Sequence, residues 1–246
     1  MNLLDVIQKD FFEKITPLLK SGYVIDPSDL LIKKLASTVG WDGPWIFHIY
    51  DQENKETSCI KWHSIQFQHF GHIPLECFDC YKVVVRPKTV VDLIKLKDAQ
   101  AELPKDISCK CGIELRHYTN ALYGGYFYCR GIEQGLDRLD FVRSLVEEKG
   151  IDCHEVFLKR GCTEYEIKYG RSDQWEHDPI EREASAWIDK KFDKSCFKNP
   201  LHGPDEEQTI LHSWINFAFD KGDNSYLELT GGEPLYDPPI RYERTK

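Results

Sequence analysis

The chain of 246 residues has 41 acidic and 32 basic side chains, which gives it a formal net charge of −9. This balance argues against a protein that mainly binds a nucleic-acid backbone, because such affinity comes from clustered Lys and Arg. A hydrophobic fraction of 41% excludes intrinsic disorder. No apolar run reaches the roughly 20 residues that a bilayer span needs, and the acidic, amphipathic N-terminal segment is unlike a signal peptide. We therefore expect a soluble, cytoplasmic protein with no membrane partner.

Residues 1–75 are predicted to form an N-terminal flank of helices and strands. An amphipathic helix should open this flank and end near Gly22, because glycine is a common stop signal. A second helix is predicted from a cap at Asp26 through the run LLIKKLA. Strands are predicted over PWIFHIY and SCIKWHSIQF, which are rich in aromatic and β-branched residues.

Residues 76–170 alternate between strand and helix patterns. The runs KVVVRP, CKCGIELR, GGYFYCR and CHEVFLKR are typical of strands, whereas TVVDLIKLKDAQAEL and GLDRLDFVRSLVEEKG place apolar residues at helical spacing. The resulting order β-α-β-β-α-β predicts a ferredoxin-like module in which the strands lie in the order 4-1-3-2. The predicted fold class is therefore α+β, with this module at the centre.

Residues 171–246 are predicted to form a C-terminal flank. Asp178 followed by Pro179 indicates the start of a helix, and the run EEQTILHSWINFAFDK indicates another. The Gly- and Pro-rich tail after these helices should be extended.

Six of the nine cysteines should meet at one edge of the predicted sheet. In the ferredoxin-like order, the starts of strands 1 and 2 share an edge with the ends of strands 3 and 4. The cysteines that precede, open, close or follow these strands at that edge are Cys77, Cys80, Cys109, Cys111, Cys129 and Cys162. Cys153 should lie at the opposite edge, while Cys59 and Cys196 are expected to be buried thiols.

Short thiol spacings in a reducing compartment favour a metal site. The predicted site is a zinc ion held by Cys77, Cys80, Cys109 and Cys111, with Cys129, Cys162 and His72 as secondary candidates. An iron–sulfur cluster is the alternative occupant, and free thiols are a third possibility. This pattern predicts a metal-binding accessory protein that acts through a protein partner.

Two other functions are compatible with the sequence. Arg130 and Arg160 flank the cysteines and could bind an anionic small molecule, which would suit a thiol-redox or metal-assisted enzyme. The segment YGGYFYCRG also resembles strand 3 of an RNA-recognition motif. Tyr126 and Tyr128 of this segment, with Tyr81 beside them on strand 1, would then stack on bases. The net charge makes RNA the less favoured partner. No substrate or reaction follows from the sequence.

Overall fold

The structure is a computed structural model that describes residues 2–34, 44–48, 60–176, 178–193, 196, 203–236 and 242. The predicted first helix is two helices, α1 (Leu3–Lys9) and α2 (Phe11–Lys20), which meet at Asp10. Both helices bury one apolar stripe, including Ile7 and Ile15, as an amphipathic sequence requires.

The predicted helix after Asp26 is wrong over its described part. A hairpin forms instead from β1 (Tyr23–Ile25) and β2 (Ile32–Lys34). The Asp26 carboxylate accepts a hydrogen bond from the backbone N–H of Ser28 at 2.8 Å and contacts the Lys33 ammonium at 2.7 Å. Asp side chains stabilise turns as well as helix N-termini, and these contacts stabilise a turn. The rest of the predicted helix lies outside the described residues.

The predicted strand over SCIKWHSIQF is also wrong where it is described. Ile60–Phe70 forms a π-helix, and its buried residues Trp62, Ile65 and Phe70 recur at helical rather than alternating spacing. The preceding strand is confirmed as β3 (Trp45–His48).

The central elements are confirmed as β4 (Cys80–Pro87), α3 (Val90–Ala101), β5 (Cys109–Ile113), β6 (Tyr123–Arg130), α4 (Gly131–Glu148) and β7 (Cys153–Arg160). They form a sheet in the order β3-β5-β6-β4-β7, in which all neighbours are antiparallel. The sheet has five strands because β3, from the N-terminal flank, pairs with β5. The α+β class is confirmed.

One face of this sheet carries the main core. Val83, Val85 and Phe127 point from the strands toward α3 and α4, whose residues Leu93 and Val142 are fully buried there. Because side chains alternate along a strand, the residues between them point to the opposite face.

The C-terminal part contains α5 (Thr163–Tyr169), α6 (Pro179–Asp189) and α7 (Pro204–Lys221). Asp178 caps α6 as predicted, because its carboxylate accepts from the Ile180 N–H at 2.8 Å. The sequence patterns did not predict α5. A second core joins α1, α2, the π-helix and α6. Within the described ranges, no helix is long and apolar enough to cross a membrane. The predicted extended tail is wrong over residues 230–236, where the chain turns, and the rest of it apart from residue 242 lies outside the described ranges.

Candidate functional site

The sheet face opposite α3 and α4 carries a concentration of positive charge. Lys82 and Arg86 come from β4, Lys110 from β5 and Lys159 from β7, and Arg116 follows β5. These five residues are called the cationic face here. Lys82 and Arg86 lie on one side because they alternate with the core residues of β4. Lys159 is on the same side because it lies directly opposite Lys82, and Lys110 is there because it lies opposite Tyr126, which shares that side.

Tyr126 stands at the centre of the cationic face. The whole residue is only 4% exposed. Four cationic groups lie between 5.6 and 5.8 Å from the ring centroid, namely those of Lys82, Lys110, Arg86 and Arg116. This is within the range of cation–π attraction, which partly offsets the cost of placing like charges together.

The arginine end of the face, formed by Arg86 and Arg116, makes ion pairs with carboxylates. Glu114, whose side chain is 0% exposed, lies 3.3 Å from Arg86 and accepts hydrogen bonds from Arg116 and from the Tyr126 hydroxyl, the latter at 2.8 Å. Burial by itself would raise the pKa of Glu114, but the hydrogen bonds from Arg116 and Tyr126 and the charges of the two arginines together outweigh burial and lower the pKa. Glu164 lies 3.7 Å from Arg116. The arginine end is therefore a mutually satisfied ion network.

The lysine end of the face, formed by Lys82 and Lys159, is arranged differently. Lys82 and Lys159 are directly opposite each other on β4 and β7. Lys82 is 6% exposed, and its ammonium lies 3.5 Å from the sulfur of Cys162. The Lys159 ammonium donates to Thr163 at 2.8 Å and to Glu166 at 3.2 Å. Even so, burial and then the charge of Lys82 lower the pKa of Lys159. The charged form of Lys159 is therefore disfavoured in the folded protein.

A pocket of about 40 Å³ lies at the end of the sheet, where β6 passes into α4. Its lining consists of Cys80, Asp106, Ser108, Tyr128, Cys129, Arg130, Gln134 and Arg138. Tyr128 is the cross-strand partner of Lys82, and Arg130 follows Tyr128 by two residues on the same face. Gln134 and Arg138 belong to α4, which packs against the opposite sheet face, so the pocket lies at the end of the sheet between the two faces.

The predicted zinc ligands occupy separate environments. Cys109 and Cys111 point into the main core, where burial raises the pKa of Cys109 to about 12 and that of Cys111 well above its usual value. Cys77 lies in a different apolar cluster, with its sulfur 3.4 Å from the Tyr165 hydroxyl. Cys80 lines the pocket.

The secondary metal candidates are also dispersed. Cys129 lines the pocket, where burial raises its pKa despite the opposing charge of Arg138, and Cys162 contacts Lys82. The His72 ring nitrogen Nε2 lies 3.1 Å from the hydroxyl of Ser185. Over the described part of the chain, no three or more His, Cys, Asp or Glu side chains are placed to hold a metal ion. Zinc or iron–sulfur binding stays a prediction from spacing.

The remaining cysteines can be placed more simply. Cys196 is 1% exposed and its sulfur lies 3.1 Å from the Ile32 carbonyl, which confirms a buried thiol. Cys153 opens β7, and its partner Pro87 closes β4, so it lies away from the other cysteines. Cys59 is outside the described residues.

Of the two predicted anion-binding arginines, only one lines the pocket. Arg130 does so, whereas Arg160 donates to the carbonyls of Phe78 at 2.7 Å and Ser172 at 2.6 Å. The contacts of Arg160 thus tie β7 to neighbouring loops.

The tyrosines proposed to stack on RNA bases do not share one open surface. Tyr126 and Tyr128 lie on the cationic face, but Tyr81 pairs with Cys129 and points to the opposite one. The buried Tyr126 ring is surrounded by cations and its hydroxyl is hydrogen-bonded, so it presents no free stacking face.

Sequence reasoning missed Lys82, Arg86, Lys110 and Arg116. Alternation along KVVVRP could have placed Lys82 and Arg86 on one face. The meeting of Lys82 with Lys159 depends on strand register, which the sequence pattern does not fix.

Comparisons with known proteins found no matching family model, curated protein or solved structure. The fold and the site therefore carry the functional argument.

Proposed function

We propose that the protein binds a small anionic ligand at the lysine end of the cationic face. The observation that carries this proposal is the direct opposition of Lys82 and Lys159 in a mostly buried part of an acidic protein. Like charges directly opposite on neighbouring strands destabilise a sheet, and burial makes each charge more costly. An anion between the two ammonium groups would relieve both costs.

The surroundings of the lysine pair support the same proposal. Lys110 adds positive charge beside Tyr126, and such a concentration attracts anions electrostatically. Perturbed lysines in partly buried polar clusters are also frequent at functional sites, where they bind anions or take part in catalysis. The proposal concerns binding and assigns no reaction.

Calorimetric titration with propyl phosphate tests this proposal. The wild-type protein should bind the probe, and Lys159→Met should weaken binding by about 1.5–3 kcal/mol, the usual contribution of a hydrogen bond to a charged group. Lys88→Met is a matched control, because Lys88 is a lysine just beyond β4 that pairs with Asp152 away from the face. Absence of binding to the wild type, or equal weakening by both substitutions, would contradict the proposal.

The central module is proposed to be ferredoxin-like. Its element order from β4 to β7 is β-α-β-β-α-β, and these four strands lie in the order β7-β4-β6-β5, which support that assignment. The additional strand β3 is the departure from it. A cytoplasmic location is likewise proposed, and the lack of disulfides among the described cysteines supports a reducing compartment.

A further inference from the structure

The pocket at the end of the sheet forms where β6 runs past the beginning of β5. The Tyr128 N–H donates to the Ser108 carbonyl at 2.9 Å, just before β5 begins. The chain that precedes Ser108 turns away, with the Ile107 N–H bonded to the Pro104 carbonyl. Because N–H groups two residues apart on a strand point to the same side, the Arg130 N–H points into the space beyond Ser108.

A side chain from α4 meets that N–H group. The Gln134 side-chain oxygen accepts a hydrogen bond from the Arg130 N–H at 2.5 Å. Gln134 lies in the first turn of α4 and lines the pocket. Since an amide side chain has one oxygen acceptor and one NH2 donor group, this contact leaves Gln134 as a hydrogen-bond donor toward a ligand.

Two arginines from different elements line the same pocket. Arg130 ends β6, and its guanidinium lies 5.4 Å from the centre of the Trp62 ring, a cation–π contact that restrains it. Arg138 lies in the second turn of α4 and interacts with the thiol of Cys129, which also lines the pocket. Guanidinium groups bind oxoanions through paired N–H donors.

The remaining polar lining residues fit the same chemistry. Ser108 and Tyr128 carry hydroxyl groups, and Asp106, the carboxylate among the lining residues, is exposed to solvent. Two guanidinium groups against one carboxylate give the lining a net positive charge. The volume of about 40 Å³ is enough for about three waters, which suits one tetrahedral group better than an extended organic molecule.

We infer that this pocket binds a tetrahedral oxoanion of the class of inorganic phosphate and sulfate. Arg130, Arg138 and the Gln134 amide would donate to its oxygens. The lining shares no residue with the lysine end, so this is a second anion site that goes beyond the proposed function.

Amide NMR titration with sodium phosphate at neutral pH tests the inference. The backbone signals of Tyr128, Arg130 and Gln134 should shift in a saturable way, and sodium chloride of equal ionic strength should not reproduce these shifts. Arg138→Gln removes a charged donor and should weaken binding at least about tenfold. Arg143→Gln removes an exposed arginine further along α4 and should leave the affinity within about twofold of wild type.

A second variant tests the pocket without removing an arginine. Gln134→Glu keeps an oxygen that can accept from the Arg130 N–H, and it replaces the NH2 donor by a negative charge. Gln134 is exposed, so the variant should fold, which the dispersion of its amide spectrum would show. It should abolish the phosphate-dependent shifts at the pocket.

Lys159→Met distinguishes this inference from the proposed function. Lys159 lies on β7, two strands away from β6, so the variant should bind phosphate at the pocket as wild type does. Shifts confined to the surroundings of Lys82 and Lys159 would overturn the inference and leave the proposed function standing. Pocket shifts that Arg138→Gln and Gln134→Glu leave unchanged, or that chloride reproduces, would also overturn it. Saturable shifts at the pocket alone would support the inference and count against the proposed function.

Discussion

Replacing Lys159 by Met should stabilise the protein in the absence of ligand. Burial and the neighbouring Lys82 lower the pKa of Lys159, and this net direction already includes the favourable contact with Glu166. At neutral pH the ammonium is charged in both folded and unfolded states, so its unfavourable environment lowers the free energy of unfolding. Methionine keeps the apolar stem and removes the charge.

The expected gain follows from the cross-strand geometry. A pair of side chains directly opposite on antiparallel strands typically contributes about 0.2–1 kcal/mol, and a like-charged pair opposes folding by a similar amount. The free energy of unfolding should therefore rise by up to about 1 kcal/mol. For a chain of this size, that corresponds to an increase of up to about 2–4 °C in Tm.

Urea denaturation followed by circular dichroism would measure this effect. The gain should be full at neutral pH and should shrink as the pH rises toward the ordinary lysine pKa of about 10.5, because the wild-type amine loses its proton first in the folded state. Lys88→Met should give no gain, since Asp152 raises the pKa of Lys88 and its charge favours folding. A Lys159→Met protein that is less stable than wild type at pH 7 would refute the reasoning.

Three further outcomes are expected. Glu114→Gln should lower the free energy of unfolding by about 3–5 kcal/mol, because it leaves Arg86 and Arg116 beside a neutral group at a buried site; a loss below about 1 kcal/mol in urea denaturation would contradict this. His72, which burial and then the charge of Lys168 hold at a pKa of about 4, should cost stability as the pH falls from about 6.5 toward 4, by about 3 kcal/mol in total, and His72→Gln should flatten that pH profile. If the predicted zinc site exists, protein purified from a reducing cytosol should contain about one equivalent of zinc by elemental analysis and Cys109→Ser should lose it; metal-free protein of normal stability would refute the metal prediction.

The central strands and helices could be predicted because their burial follows simple periodicities. Val83 and Val85 alternate toward the core, and Leu93 and Leu96 recur at helical spacing. The flanks were harder because single residue types have several structural uses. Asp26 is as suitable for a turn as for a helix cap, and the aromatic residues of Ile60–Phe70 suit a strand as well as a helix.

The candidate site was less predictable, because topology determines the edge at which a residue lies but not the face. The C-x-C spacing places Cys109 and Cys111 on the same side of β5, and the helices cover that side. Both thiols are therefore core residues although they lie near the predicted edge. Lys82 and Lys159 are 77 residues apart in sequence, and they meet only through the β4–β7 register.

The pairing of β3 with β5 limits how the protein can be divided. Gly112 of β5 lies opposite Trp45, and a methyl group added at Gly112 would come within 2.2 Å of the Pro44 carbonyl oxygen. The N-terminal flank thus covers the outer edge of β5 at close range. A fragment of residues 76–170 would expose that edge, and unpaired strand edges promote association between chains. Expression of the central module by itself should therefore yield a more aggregation-prone protein than the full chain.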